Sequence, residues 1–308
     1  MSFKNPVPPG PIPSLVRTVA LVLASVAGPG CSGGDPLAAR ASSPRAERIV
    51  PANSGAAELL LALIEPTRLA ALPGTIDGYG ADDLADLGLP TFANYTAESV
   101  LTFAPDLVVT HGWQSSEATQ VLEGGGIPVL TLPDVGDFAG LCQLIDLLGE
   151  RVHAPEAAAD LIVSLRARSD ELRRVDRSGM RLVSYTNLGS GGWTAGSETT
   201  ADLLCELVGV QNLAAANGYT GHQNVDFETL LTWNPDVFLV GASGERPGHS
   251  PAAVILRQEH SLQTIQALRH DRIVVLPAEL YTTNSQHMLD AAEFLARELD
   301  RLLPRSTD

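Results

Sequence analysis

Six turn-like segments hold most of the side chains in this 308-residue chain that could grip a ligand. They are PANSG with Asn53 and Ser54, GTIDGYG with Tyr79, THGWQSS with His111 and Trp113, SYTNLG with Tyr185 and Asn187, GGWTAG with Trp193, and AELYTTN with Tyr281. The chain has only three Trp and five Tyr, so finding five of those eight beside turns marks them as candidate binding residues. Aromatic faces flanked by amides and hydroxyls suit a flat macrocycle or an organic chelate. The competing reading of each loop aromatic is local packing under its own turn. Trp233 stands 130 residues after Phe103, at the matching point of an internal repeat, and is expected in the core. His111 and His287 raise the question of a bare metal, since imidazole suits Zn, Mn and Fe. The histidines form no close pair, however; His249, His260 and His270 lie ten or eleven residues apart. No metal site is assigned.

Catalytic patterns are scarce. No G-x-S-x-G elbow and no H-E-x-x-H appears, and the single lysine, Lys4, removes a Walker A loop, a Schiff base and a Ser-x-x-Lys pair. Asp82 and Asp83 read as a helix start, where acids are favoured, and not as a carboxylate pair. No catalytic residue and no cofactor is assigned. An exported α/β hydrolase or chelatase-like enzyme stays the alternative, because a triad is recognised by geometry and not by order in sequence. A structural or adhesion lipoprotein is a third class, but it would not need two matched halves or loop aromatics.

The net charge is −16, which opposes contact with nucleic acid or an anionic lipid surface. Residues 1–30 carry Lys4, Arg17 and no acid, then the apolar stretch TVALVLASVA and GPG before Cys31. This pattern reads as an export signal, and residues 31–46, rich in Ser, Gly, Ala and Pro, as a flexible tether. The segment resembles a bacterial lipoprotein signal, which implies lipidation at Cys31 and a place in the periplasm or cell envelope. It departs from that pattern at Gly28, where a large aliphatic residue is preferred. Cys142 and Cys205 sit in helical apolar patterns, one in each half, and are expected as buried thiols.

The elements that must position these residues repeat. At an offset of 130, ESVLTFAPDLVV (98–109) aligns with ETLLTWNPDVFL (228–239), matching Glu98 to Glu228, Pro105 to Pro235 and Asp106 to Asp236. Each copy predicts a short capped helix, a proline stop and a buried strand. Further strands are expected at 48–53, 68–74, 128–134, 181–187 and 272–278, with helical patterns between most of them. Pro155 opens a long amphipathic helix with Leu161, Leu165, Leu172 and Val175 on one face. The reading is α/β: two lobes, each a mostly parallel sheet wrapped by helices, joined by one long spine helix. The expected boundaries are 47–150 for the N-terminal lobe, 151–177 for the spine and 178–308 for the C-terminal lobe. A stiff joint of this kind predicts a clamp that moves modestly.

Seven blocks in order now carry a resemblance: RIVPANSGAAELLLALI, ESVLTFAPDLVV, GGIPVLTLP, the spine helix, TAGSETTADLLCELVGVQNLAA, ETLLTWNPDVFLV and RIVVLPAELY. Over about residues 47–304 the chain resembles the helical-backbone solute-binding proteins of ABC importers that take up cobalamin, ferric siderophores and haem. The resemblance implies a ligand cleft between two lobes and delivery to a membrane permease dimer. It also implies that Glu98 and Glu228 dock into that permease; by themselves, carboxylates in a first helical turn serve the helix dipole equally well. A haem-binding relative would be expected to carry a tyrosine seven residues before the first docking glutamate, where this chain has Thr91, with Tyr95 only three before. Anionic siderophores would call for arginines, and the six turn segments contain none; Arg246 is the nearest candidate. A corrinoid or a ferric siderophore of hydroxamate type is therefore the expected cargo.

Overall fold

Parallel strands flanked by helices build both halves of the protein in the computed structural model, which describes residues 44–74, 87–187, 191–243 and 248–302. Cys31, Tyr79, Asp82, Asp83 and Arg246 lie outside the described residues, as do the expected export signal and most of the tether. In the first half, β1 (Ile49–Pro51), β4 (Leu107–His111) and β5 (Val129–Leu132) form a parallel sheet ordered β1-β4-β5. A short parallel pair, β2 (Leu72–Pro73) with β3 (Thr91–Phe92), lies beside it, and Leu69 bridges to Ile49. Helices α1 (Ser54–Leu63), α2 (Ala97–Leu101) and α3 (Ser116–Gly124) connect these strands. Two long helices follow, α4 (Phe138–Arg151) and α5 (Pro155–Leu172), with Pro155 in the first turn of α5, where its missing N–H costs nothing.

The second half runs β6 (Arg181–Ser184), β7 (Thr186–Asn187), β8 (Gly192–Ala195), α6 (Thr200–Val208), β9 (Gln211–Asn212), α7 (Leu213–Ala216), β10 (His222–Val225), α8 (Phe227–Trp233) and β11 (Val237–Gly241). It ends with α9 (Pro251–Gln258), α10 (Gln266–Arg269), β12 (Ile273–Leu276), α11 (Ala278–Tyr281) and α12 (Met288–Leu302). Its main sheet is parallel, ordered β12-β11-β6-β9. A second, antiparallel sheet β10-β8-β7 lies over the sequence GGWTAG and HQNV. Hydrophobic patterning does not announce it, because those strands are short, β8 opens on a glycine and β10 is mostly polar.

The repeated segment has a physical reason. Thr96 and Asp226 cap α2 and α8 by accepting from the amides of Ser99 and Thr229. Ala104 and Asn234 follow in the left-handed region, at φ 44° and 45°, and Pro105 and Pro235 prevent the helices from continuing. Asp106 then accepts the amides of Glu47 and Arg48 at the start of β1, while the Arg48 guanidinium donates to the Phe103 and Ala104 carbonyls. Asp236 does the same for Arg181 at the start of β6, and Arg181 donates to the Asn234 carbonyl. Each Pro-Asp pair thus splices a helix end to the sheet.

One apolar core runs from β1 and α1 through α4 and α5 into β6, β11 and α12; Ile49, Leu60, Leu144, Leu165, Leu239 and Leu295 all belong to it. Arg168 on α5 donates to Asp290 and Glu293 on α12, and the buried Arg177 pairs with Asp300 through two hydrogen bonds. Cys142 and Cys205 are buried free thiols, and Trp233 is buried edge-on against Tyr219. Among the described residues no helix is long and apolar enough to cross a membrane.

Candidate functional site

The first half contributes one wall of a cleft through the ends of β4 and β5. Asn53 caps α1, its Oδ1 accepting from the Ala56 amide at 3.0 Å, and this pins the rest of its side chain. The Asn53 Nδ2 therefore donates to His111 Nδ1, 2.9 Å away at the last position of β4. His111 is 2% exposed, and burial pulls its pKa down to about 4 although Asp134 acts in the opposite sense. The ring is neutral, and with Nδ1 accepting, its proton resides on Nε2. Asn284 places its Nδ2 3.1 Å from that nitrogen; an Nε2–H there pairs once the amide is turned end for end so that its oxygen accepts. Two residues on, Trp113 stacks on the imidazole at 5.7 Å and 22°, with 60% of its surface open. Pro133 and Asp134 complete this wall.

The opposing wall belongs to the second half. Glu198 holds a left-handed backbone (φ 63°), and Thr199 caps α6 by accepting from the Asp202 amide. Thr200, His222 and Thr282 continue the lining. Between the walls lies about 460 Å³ of space. At its edge the two halves approach backbone to backbone: a Cβ on Gly136 would come within 2.5 Å of the Glu198 Cα, so only glycine fits there.

The segment Thr283–Gln286 straps the second half onto the first. Ser285 donates to the Glu58 carboxylate at 2.5 Å and Gln286 donates to the Glu58 carbonyl at 3.1 Å. Asn284 reaches His111 only because position 55 is glycine; a Cβ there would overlap the Asn284 amide.

Of the residues singled out in the sequence, His111 and Trp113 line this cleft, while Asn53 and Ser54 lie behind it at the start of α1. Tyr185 is corrected: it is fully buried, edge-on to Phe238, and belongs to the core of the second half. Burial raises the pKa of its hydroxyl, which accepts from the Asn187 amide at 3.4 Å. Trp193 and Tyr281 line a smaller chamber of about 120 Å³ beside the cleft. Tyr281 lies against Gly241, and burial pushes its hydroxyl up to about 12. Glu98 and Glu228 are exposed in the first turns of α2 and α8, away from the cleft lining. Asp134, Glu198 and Asn284 went unforeseen because they stand in polar turns, and His222 because it opens the short polar strand β10, with no periodicity to flag any of them. Among the described residues lining the cleft the charged side chains are the acids Asp134 and Glu198. No group of three or more His, Cys, Asp or Glu among the described residues is arranged to hold a metal ion.

A wrapped parallel sheet in each half with a cleft between them is the architecture of a solute-binding protein. The family model described as periplasmic binding protein matches residues 49–280, and the chain belongs to that family. It is 23% identical to an uncharacterized ABC transporter substrate-binding lipoprotein of Bacillus subtilis, YvrC, over 67% of this chain and 65% of that relative, so just under two thirds of the relative is spanned. Among solved structures it is similar to the periplasmic heme-binding protein HutB of Vibrio cholerae, with 25% identity and a TM-score of 0.71 over 82% of this chain and 98% of that one. The periplasmic vitamin B12-binding protein BtuF of Vibrio cholerae shares the fold at 20% identity, with a TM-score of 0.67 over 84% of this chain and 99% of that one.

Proposed function

We propose that this protein is the substrate-binding component of an ABC importer, exported and anchored to the cell envelope through Cys31. It holds a metal chelate in the cleft between its halves and presents it to a membrane permease dimer. The observation that carries this reading is the interlobe cleft itself, with the stacked His111–Trp113 pair on one wall and the start of α6 on the other. The YvrC name, an ABC transporter substrate-binding lipoprotein, supports the importer role and the anchor.

The cargo is a neutral chelate, a corrinoid or a ferric hydroxamate. Haem propionates and catecholates need guanidinium partners, and the described lining offers Asp134 and Glu198 instead. Trp113 supplies an open aromatic face to such a ligand, and Trp193 and Tyr281 border the smaller chamber beside it; Asn187 and Tyr79, the latter outside the described residues, complete the proposed contacts. Capture and release need no bond to be made or broken, so the protein acts as a binder and not as a catalyst.

Glu98 and Glu228, one per half, are the docking groups for the permease. Both are exposed and both sit in capped first turns at equivalent points of the repeat. Replacing both with alanine abolishes uptake in cells and leaves the affinity for the chelate intact. Lost affinity, or undiminished uptake, would overturn their role.

A further inference from the structure

We propose that the 120 Å³ chamber in the second half is a receptor for a neutral carboxamide arm of the bound chelate, separate from the aromatic grip of the main cleft. The inference rests on the uptake reading for the arm's identity, whereas the chamber's chemistry follows from the side chains around it.

Two of those side chains hold buried polar atoms without a protein partner. Trp193 Nε1 and Thr194 Oγ1 are both inaccessible to solvent and unpaired, and Thr194 as a whole is only 2% exposed. Both residues line the chamber. An indole N–H can only donate, and leaving such a donor buried and unmet is costly, so the arrangement calls for an acceptor. Ser184 borders the same space; its Oγ already accepts from the Ala195 amide at 3.1 Å, which leaves its proton to give. Thr200 and Ala201, in the first turn of α6, turn the positive end of that helix toward the space.

The indole N–H can only donate and the hydroxyls of Thr194 and Ser184 can donate as well, and no lysine or arginine stands among the lining residues. Asp202, one residue beyond Ala201, adds negative charge nearby. With no lysine or arginine to balance an anion and the Asp202 carboxylate close by, a neutral carbonyl oxygen is the favoured acceptor. Leu204 and Leu239 give the apolar floor that a methyl or methylene beside the carbonyl needs. At about 30 Å³ per water, the volume equals roughly four waters, the size of an acetamide group. Thr200 and His222 border both the chamber and the cleft, so an arm can enter one while the body of its chelate fills the other.

The test is a titration of the ¹⁵N-labelled protein with N-methylacetamide, followed through the indole N–H signals of its three tryptophans. Trp193→Phe identifies the Trp193 signal. That signal is expected to move saturably, with half-saturation on the order of 10 mM for a fragment of about five heavy atoms. Acetate at the same concentrations moves it little, and Thr194→Val weakens the amide roughly threefold. A drift that never saturates and is equal on all three tryptophans overturns the chamber, as does saturation by acetate in place of the amide. Cyanocobalamin and ferrichrome are titrated in parallel. Amide binding without chelate binding would sink the cargo class and keep the chamber; chelate binding without amide binding would sink the chamber alone.

Discussion

His111 stands at the base of the cleft as a neutral ring fixed between two asparagines. Its pKa in the folded state is about 4, against about 6.5 in an unfolded chain. Between those values the unfolded chain takes up a proton that the folded one refuses, so stability falls as pH drops from 6.5 toward 4 and this contribution levels off below 4. The full effect is about 3 kcal/mol, and chemical denaturation of wild type and His111→Gln at a series of pH values will show it as a slope that the variant lacks. Trp113 makes the opposite prediction. Because 60% of it is open, Trp113→Ala changes stability by less than about 0.5 kcal/mol, yet it lowers chelate affinity tenfold or more in a calorimetric titration. The position of the pair at the end of β4 was legible in the sequence, because His111 closes a buried apolar strand and Trp113 follows two residues on. Tyr185 was misread for want of the alternation rule: it continues the face of Val183, and both belong to the core. Asn284 had no signal, since its partner lies 173 residues away.

Among the elements, the helix-stop-strand unit was visible as the echo between 98–109 and 228–239, down to its two prolines. The arginines that complete it were not, because Arg181 meets Asp236 across 55 residues of chain and no local pattern records such a pairing. Asp236→Ala strands a partly buried guanidinium and a strand amide, so urea titration will show a loss of about 2 kcal/mol, well beyond that of Glu228→Ala on the exposed turn nearby. Gly55→Ala tests the strap. Its methyl group displaces Asn284 from His111, and the expected result is at least about 1 kcal/mol lost together with weaker chelate binding. Of the antiparallel sheet β10-β8-β7 only β7 fell inside an expected strand, at 181–187; β8 and β10 were not foreseen, since a four-residue strand opening on glycine and a four-residue polar one look like loop.

At the scale of the molecule, the halves share one core and are tied by α5, α12 and the strap. That continuity opposes wide opening, and X-ray scattering with and without chelate will show radii of gyration within about 1 Å of each other, near the value for a compact chain of this length. A larger contraction would mean that the strap lets go. The most direct test of chelate capture is thermal unfolding of the protein with cyanocobalamin, ferrichrome, haemin, a ferric catecholate and divalent metals in turn. A ligand at a hundred times its dissociation constant adds about 2.7 kcal/mol to stability, a readable shift. The account predicts a raised midpoint with cyanocobalamin or ferrichrome and none with haemin, the catecholate or bare metals; a rise with any of those three, or no rise with either neutral chelate, would contradict it.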